Sequence, residues 1–164
     1  MIENMKKYGC IGKKLGHSFS KEIHTRLADY VYELIELSED EIPSFFNDKN
    51  FSAINVTIPY KQTVIPYLDS ISDIARKIGA VNTIVNKNGK LHGYNTDYYG
   101  LKALIQKTEI ELKNKKVLIL GTGGTSKTAQ VVANDMGASN IFTVSRNKTG
   151  NYISYEQAIK EHFD

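Results

Sequence analysis

Residues 121–128 read GTGGTSKT, and their types and spacing allow two chemistries. Read as G-x-x-x-x-G-K-T, the stretch departs from a triphosphate-binding P-loop at one residue. Ser126 stands where a second glycine would let the backbone wrap the β-phosphate. Read as G-x-G-G-x-S, it is a turn that seats a dinucleotide pyrophosphate on a helix N-terminus. Gly121 then makes the tight turn, Gly123 and Gly124 open backbone N–H groups to the anion, and small Ser126 lets helix pack on strand. The next apolar run, NIFTVSR, ends in Ser145 and Arg146 and offers no carboxylate for magnesium, which disfavours the P-loop. An acid at that strand end would bind a ribose 2′-hydroxyl, whereas an arginine pairs with a 2′-phosphate. The loop is therefore expected to hold NADP. The competing account makes Arg146 a solvated surface residue and the glycines the shape of a turn.

Three further stretches carry polar residues that packing alone does not require. In GHSFSKEIH, Ser20 can cap a helix with Glu22 in its first turn, which leaves Ser18 unexplained. In AINVTIPYK, a β-rich run stopped by Pro59, Thr57 and Lys61 emerge at or just past a strand end, where open α/β sheets place ligand groups. A lysine taken alone is more often a surface residue. In GAVNTIV and GYNTD, Asn82 starts one strand and Asp97 follows another, and Asp97 could simply cap the helix after it.

The elements that must position these residues alternate along the whole chain, which predicts an α/β protein. Strands are expected at 8–11, 32–37, 53–57, 81–86, 90–94, 117–120 and 141–145, and helices at 21–28, 43–47, 71–78, 98–106, 125–136 and 155–162. Asn88-Gly89 supplies the positive φ angles of a tight hairpin, so the fourth and fifth strands should be antiparallel. The segment from Lys116 to Arg146 is strand, glycine turn, helix, strand within about 30 residues, the length of a parallel βαβ unit. A mixed sheet followed by a parallel one implies two domains, at 1–97 and 98–164, the second opening on a linker helix.

Charge and composition close off other classes. The 21 basic and 18 acidic residues are spread along the chain without a Lys/Arg block, so no nucleic-acid groove is expected. A single cysteine, Cys10, excludes an internal disulfide and a Cys-rich metal site; no metal is expected, and the thiol should be buried and structural. Nowhere do 18 apolar residues run together and the first residues lack a signal-peptide core, so a cytoplasmic protein without membrane contact is expected.

Taken together and in order, S-x-S, N-V-T-x-P-Y-K, G-A-V-N-T, G-x-N-T-D, G-x-G-G-T-S and a strand ending in an arginine resemble the shikimate dehydrogenase family over nearly the whole chain. The resemblance implies a three-layer mixed-sheet substrate domain followed by an incomplete Rossmann-like βαβ domain. It implies that Ser18, Ser20, Thr57, Lys61, Asn82 and Asp97 bind shikimate, with Lys61 and Asp97 the catalytic pair. It further implies that Gly121, Gly123, Gly124, Thr125 and Ser126 cradle the NADP pyrophosphate, with Arg146 at the 2′-phosphate. Ser145 and Asn147 flank that arginine where the family pattern has asparagine and threonine, and Asp73 aligns near an acidic position that approaches the cofactor in relatives.

The implied reaction is reversible NADPH-dependent reduction of 3-dehydroshikimate to shikimate, in aromatic amino acid (chorismate) biosynthesis. The rivals are a quinate- or shikimate-oxidising relative using NAD and a non-catalytic shikimate- or nucleotide-binding module. The family's nicotinamide half lies beyond the last residue, so the chain alone is expected to be a poorly active fragment. Its exposed sheet edges are expected to allow a homodimer.

Overall fold

The computed structural model describes residues 7–146 and 152–160. The chain divides into two compact units, Met1–Asn95 and Thr96–Asp164. In the first, strands β1 (Tyr8–Gly12), β2 (Tyr32–Glu36), β3 (Ala53–Val56), β4 (Ser70–Ile71), β5 (Thr83–Lys87) and β6 (Lys90–Tyr94) form one sheet in the order β2-β1-β3-β5-β6-β4. β1 runs parallel to both β2 and β3, while β5 is antiparallel to β3 and β6. The expected hairpin is present: Asn88 and Gly89 take φ of 54° and 83°, and the Asn86 carboxamide accepts the Gly89 N–H at 2.8 Å.

Side-chain alternation along β1 splits the first unit into two apolar layers. Ile11 joins Ile54, Val56, Ile84 and Leu91 on the face covered by helices α2 (Ile42–Asp48) and α3 (Asp73–Ile78). The rings of Phe45 and Phe51 stack there, and Phe46 stacks on Tyr67. Each fully buried aromatic or branched side chain contributes about 1.5–3 kcal/mol of transfer free energy. On the other face Cys10 packs with Leu15 and Tyr32, and the thiol is buried as expected. Helix α1 (Ser20–Leu27) meets this face chiefly through His24, whose ring lies 3.9 Å from that of Tyr32, while Phe19, Ile23 and Leu27 remain exposed.

Three expectations are corrected. Residues 70–71 form the short strand β4 beside β6, so the helix expected from Ile71 starts at Asp73. The cause is local: Ser72 accepts the Ala75 N–H in its side chain and caps that helix, which leaves Ile71 free to pair. The strand expected from Val81 starts at Thr83, because the Val81 N–H donates out of the ladder to the Lys61 carbonyl at 2.7 Å. Ser20 is not the cap of α1 but its first residue, with Phe19 at the cap position and the Ser20 N–H donating to Ser18 Oγ at 3.3 Å.

The second unit contains α4 (Asp97–Lys107), β7 (Lys116–Leu120), α5 (Gly124–Asp135), β8 (Asn140–Val144) and α6 (Tyr155–Lys160). β7 and β8 are parallel, as the βαβ reading requires, and Ile153 adds a parallel rung beside Val144. Among the described residues β7 pairs with β8 alone. Tyr98 ties α4 to α5 by donating to Asp135 Oδ2 at 2.9 Å. No helix among the described residues is long and apolar enough to cross a membrane.

One buried group in this unit is unsatisfied. Thr128 on α5 is 1% exposed, and its hydroxyl has no hydrogen-bond partner among the described residues. An unmet buried hydroxyl costs about 1–3 kcal/mol, so Thr128→Val, nearly equal in shape, is expected to raise unfolding free energy by about 1 kcal/mol. Urea denaturation followed by circular dichroism measures this, and a lower midpoint would mean that the hydroxyl has a partner in solution.

Candidate functional site

β1 and β3 are parallel and β5 is antiparallel to β3, so the ends of the first two strands meet the beginning of the third. Thr57 leaves β3 with its N–H donating to the Ile11 carbonyl at 2.9 Å. The turn that follows, across the cis Ile58–Pro59 bond, carries Lys61, whose carbonyl is held by Val81 next to Asn82. Asn82 is 7% exposed, and its own carbonyl accepts the Val56 N–H at 2.8 Å. Gly12 permits the close approach at the end of β1: a Cβ there would lie 2.7 Å from the Thr57 methyl and 2.8 Å from Leu15 Cδ2.

A hydrogen-bond chain crosses this end of the sheet. The Tyr32 phenol, whose titration the nearby Ser20 side chain influences, donates to Asn55 Oδ1 at 2.6 Å. The Asn55 amide donates to Thr83 Oγ1 at 3.2 Å, and the Thr83 hydroxyl donates to Asn82 Oδ1 at 3.1 Å. Because each member is satisfied by the next, the chain fixes the rotation of the Asn82 carboxamide. Burial pushes the Tyr32 phenol above its ordinary range, with Cys10 and Tyr30 adding to the rise and the Ser20 side chain opposing it, so Tyr32 remains a donor at neutral pH. Burial likewise raises the Cys10 thiol, and the charge of Lys61 opposes that rise, which places Lys61 within electrostatic reach of this face.

Of the residues singled out from sequence, Ser18, Ser20, Thr57, Lys61 and Asn82 thus gather at one end of the first sheet. Asp73 is exposed in the first turn of α3, where the helix dipole alone favours a carboxylate. Asp97 opens α4 in the second unit, with Thr96 at the cap position. Two members of the chain, Tyr32 and Asn55, were missed. Their signal was present: Asn55 interrupts the apolar run AINV and Tyr32 starts a strand, so both are polar groups bound for burial.

In the second unit the strand ends build a second candidate site. Gly121 holds φ of 106°, its N–H bonded to the Val144 carbonyl at 3.0 Å, and Gly123 leads into α5. A Cβ on Gly123 would meet nothing within 4 Å, so no protein contact demands glycine there and room is left at the helix start. α5 has no acid in its first turn to offset the dipole, which suits an anion. Ser126 is 8% exposed and accepts from Gln130, an inward place that fits helix packing rather than phosphate wrapping. Gly121, Thr122, Gly123, Ser145, Arg146 and Tyr155 line a cavity of about 570 Å³. Thr125 and Arg146 are exposed, and Asn147 lies outside the described residues. These residues fit a phosphorylated dinucleotide. Among the described residues no His, Cys, Asp and Glu group could hold a metal ion.

Residues 10–84 match the family model described as the shikimate dehydrogenase substrate binding domain. The chain is 40% identical over 164 residues to a shikimate dehydrogenase (NADP(+)) of Clostridium beijerinckii, the match covering 95% of this chain and 61% of that protein. The structure is similar to shikimate dehydrogenase 1 from Peptoclostridium difficile, with a TM-score of 0.90 and 35% identity over 98% of this chain and 65% of that one. It is also similar to a Thermus thermophilus shikimate 5-dehydrogenase solved in complex with NADP(H) and shikimate. There the TM-score is 0.78 and the identity 27%, over 87% of this chain and 57% of that one. The chain spans about three fifths of the length of the curated relatives it matches, 61% and 62% for two of them.

Tyr32→Phe keeps the ring on His24 and deletes the hydroxyl, leaving Asn55 Oδ1 without its donor. The expected cost is about 1–2 kcal/mol of unfolding free energy, read from urea denaturation. An unchanged midpoint would show that water replaces the phenol without penalty.

Proposed function

We propose that this chain, whose residues 10–84 match the shikimate dehydrogenase substrate binding domain, serves the NADPH-dependent reduction of 3-dehydroshikimate to shikimate. The observation that carries the reading is the gathering of Ser18, Ser20, Thr57, Lys61 and Asn82, drawn from three separate stretches, at one end of the first sheet. Serine, threonine and asparagine there offer the short neutral donors and acceptors that a polyhydroxylated ring carboxylate needs, and Lys61 supplies a positive charge. Asp97 is assigned as the companion carboxylate.

NADPH, when bound, supplies the hydride. As the ketone accepts it, negative charge grows on the ketone oxygen, and Lys61 is the group assigned to meet that charge and deliver the proton. Positioned proton transfer is worth about 10²- to 10⁴-fold in rate. The cofactor reading rests on the cavity shared by the glycine turn, Ser145 and Arg146. Gly121, Gly123, Gly124, Thr125 and Ser126 would seat the pyrophosphate and Arg146 the 2′-phosphate. The buried single thiol of Cys10 supports a reducing, cytoplasmic setting. The edge of β7 left unpaired among the described residues supports self-association, which sedimentation at rising protein concentration would register as a dimer.

Calorimetry with shikimate, quinate, NADP and NAD tests the assignment. Shikimate is expected to bind more tightly than quinate and NADP more tightly than NAD, and Arg146→Ala is expected to bring the two cofactors level. Equal affinity for NADP and NAD in the unaltered chain would move the reading to an NAD-dependent quinate or shikimate oxidation. Lys61→Ala is expected to lower turnover by about 10²- to 10⁴-fold with a far smaller change in shikimate affinity. Parallel loss of both would make Lys61 a binding residue.

A further inference from the structure

We propose that Tyr155 is the aromatic wall on which the adenine ring of the dinucleotide stacks. The inference rests on the NADP reading of the second unit and extends it to a residue that the glycine turn and its arginine do not include. Tyr155 is the first residue of α6, far in sequence from the glycine turn, yet it lines the same cavity as Gly121, Gly123 and Arg146.

Its position is held from both sides. Ile153 donates to the Thr143 carbonyl and accepts from the Ser145 N–H, each at 3.0 Å, which fixes the chain against the end of β8. Ser154 and Gln157 then exchange hydrogen bonds, the Ser154 N–H donating to Gln157 Oε1 at 2.8 Å and the Gln157 N–H to Ser154 Oγ at 3.1 Å. This reciprocal pair sets the start of α6 and so the backbone from which the Tyr155 ring projects. The helix is anchored by Ala158, which is buried, whereas Tyr155 remains 45% exposed. Packing therefore does not account for a large ring at this place.

The cavity has the chemistry of a phosphorylated nucleoside. Backbone N–H groups of the glycine turn and the Arg146 guanidinium suit the two phosphate groups, and with the guanidinium engaged by phosphate the ring face left for a base is an aromatic one. Among the described residues Tyr155 is the one aromatic residue lining the cavity. Stacking on it needs no hydrogen-bond readout, while the 2′-phosphate at Arg146 sets the ribose orientation that presents the base.

Adenosine 2′,5′-bisphosphate carries the adenine and both phosphates without the nicotinamide half, and is the probe for the full chain. Stacking is worth about 1–3 kcal/mol per base by alanine substitution, so Tyr155→Ala is expected to weaken its binding about tenfold or more in calorimetry. Tyr155→Phe should stay within about twofold of the unaltered chain, because the ring face and not the hydroxyl carries the contact. Tyr155→Leu keeps apolar bulk and lacks the ring, so it should follow the alanine variant even if the latter folds poorly. The adenine H2 and H8 resonances should move upfield on binding to the unaltered chain and to Tyr155→Phe, and not to Tyr155→Leu. A purely structural role would leave that ring-current shift in place. Binding by the unaltered chain with the leucine variant equal in affinity and in shift would overturn the inference and spare the cofactor reading. No binding by the unaltered chain would overturn both.

Discussion

The reversal of direction at β3, parallel to β1 on one side and antiparallel to β5 on the other, is the constraint on which the first unit depends. In an all-parallel sheet the start of a neighbouring strand lies at the far edge from the strand ends. Here the antiparallel step brings the beginning of β5 to the place where β1 and β3 finish. Residues 18–20, 57–61 and 82–83 can then share one end of the sheet although long stretches of chain separate them. The backbone contacts at that end serve the sheet and the candidate site at once, since the carbonyls of Ile11, Lys61 and Asn82 all accept strand or turn N–H groups.

The polar chain from Tyr32 to Asn82 shows how such a site keeps its geometry. Tyr32 is buried and Asn55 and Thr83 are partly buried, where an unmet donor or acceptor would be costly. Each instead gives its proton to the next oxygen in line. The raised phenol of Tyr32 keeps that direction intact over the ordinary pH range, and its ring is braced on His24. Polar residues that touch no ligand can in this way decide the orientation of those that do.

Much of this was legible in the amino-acid order. The period-two apolar runs located the long strands, Asn88-Gly89 gave the hairpin, and the glycine turn with its flanking strands gave the βαβ unit. What was not legible depends on partners distant in sequence. β4 is two residues long and exists because β6 offers it a neighbour. Ser20 was given the wrong local role because a serine can cap a helix, whereas it is the first residue of α1 and its N–H donates to Ser18 Oγ. Tyr32 and Asn55 read as ordinary strand residues until their side chains meet across the sheet, and Tyr155 read as an ordinary helix residue until β8 comes beside it.

Gly12 makes no hydrogen bond through a side chain and belongs to no ligand motif, yet a single added methyl there would press on both the Thr57 methyl and Leu15. Position 12 is thus a hidden fulcrum: widening it pushes the threonine, and the turn behind it that carries the lysine, away from the end of β1. Sequence drift is confined at this point by lack of room rather than by chemistry, since any side chain larger than hydrogen obliges Thr57 or Leu15 to move.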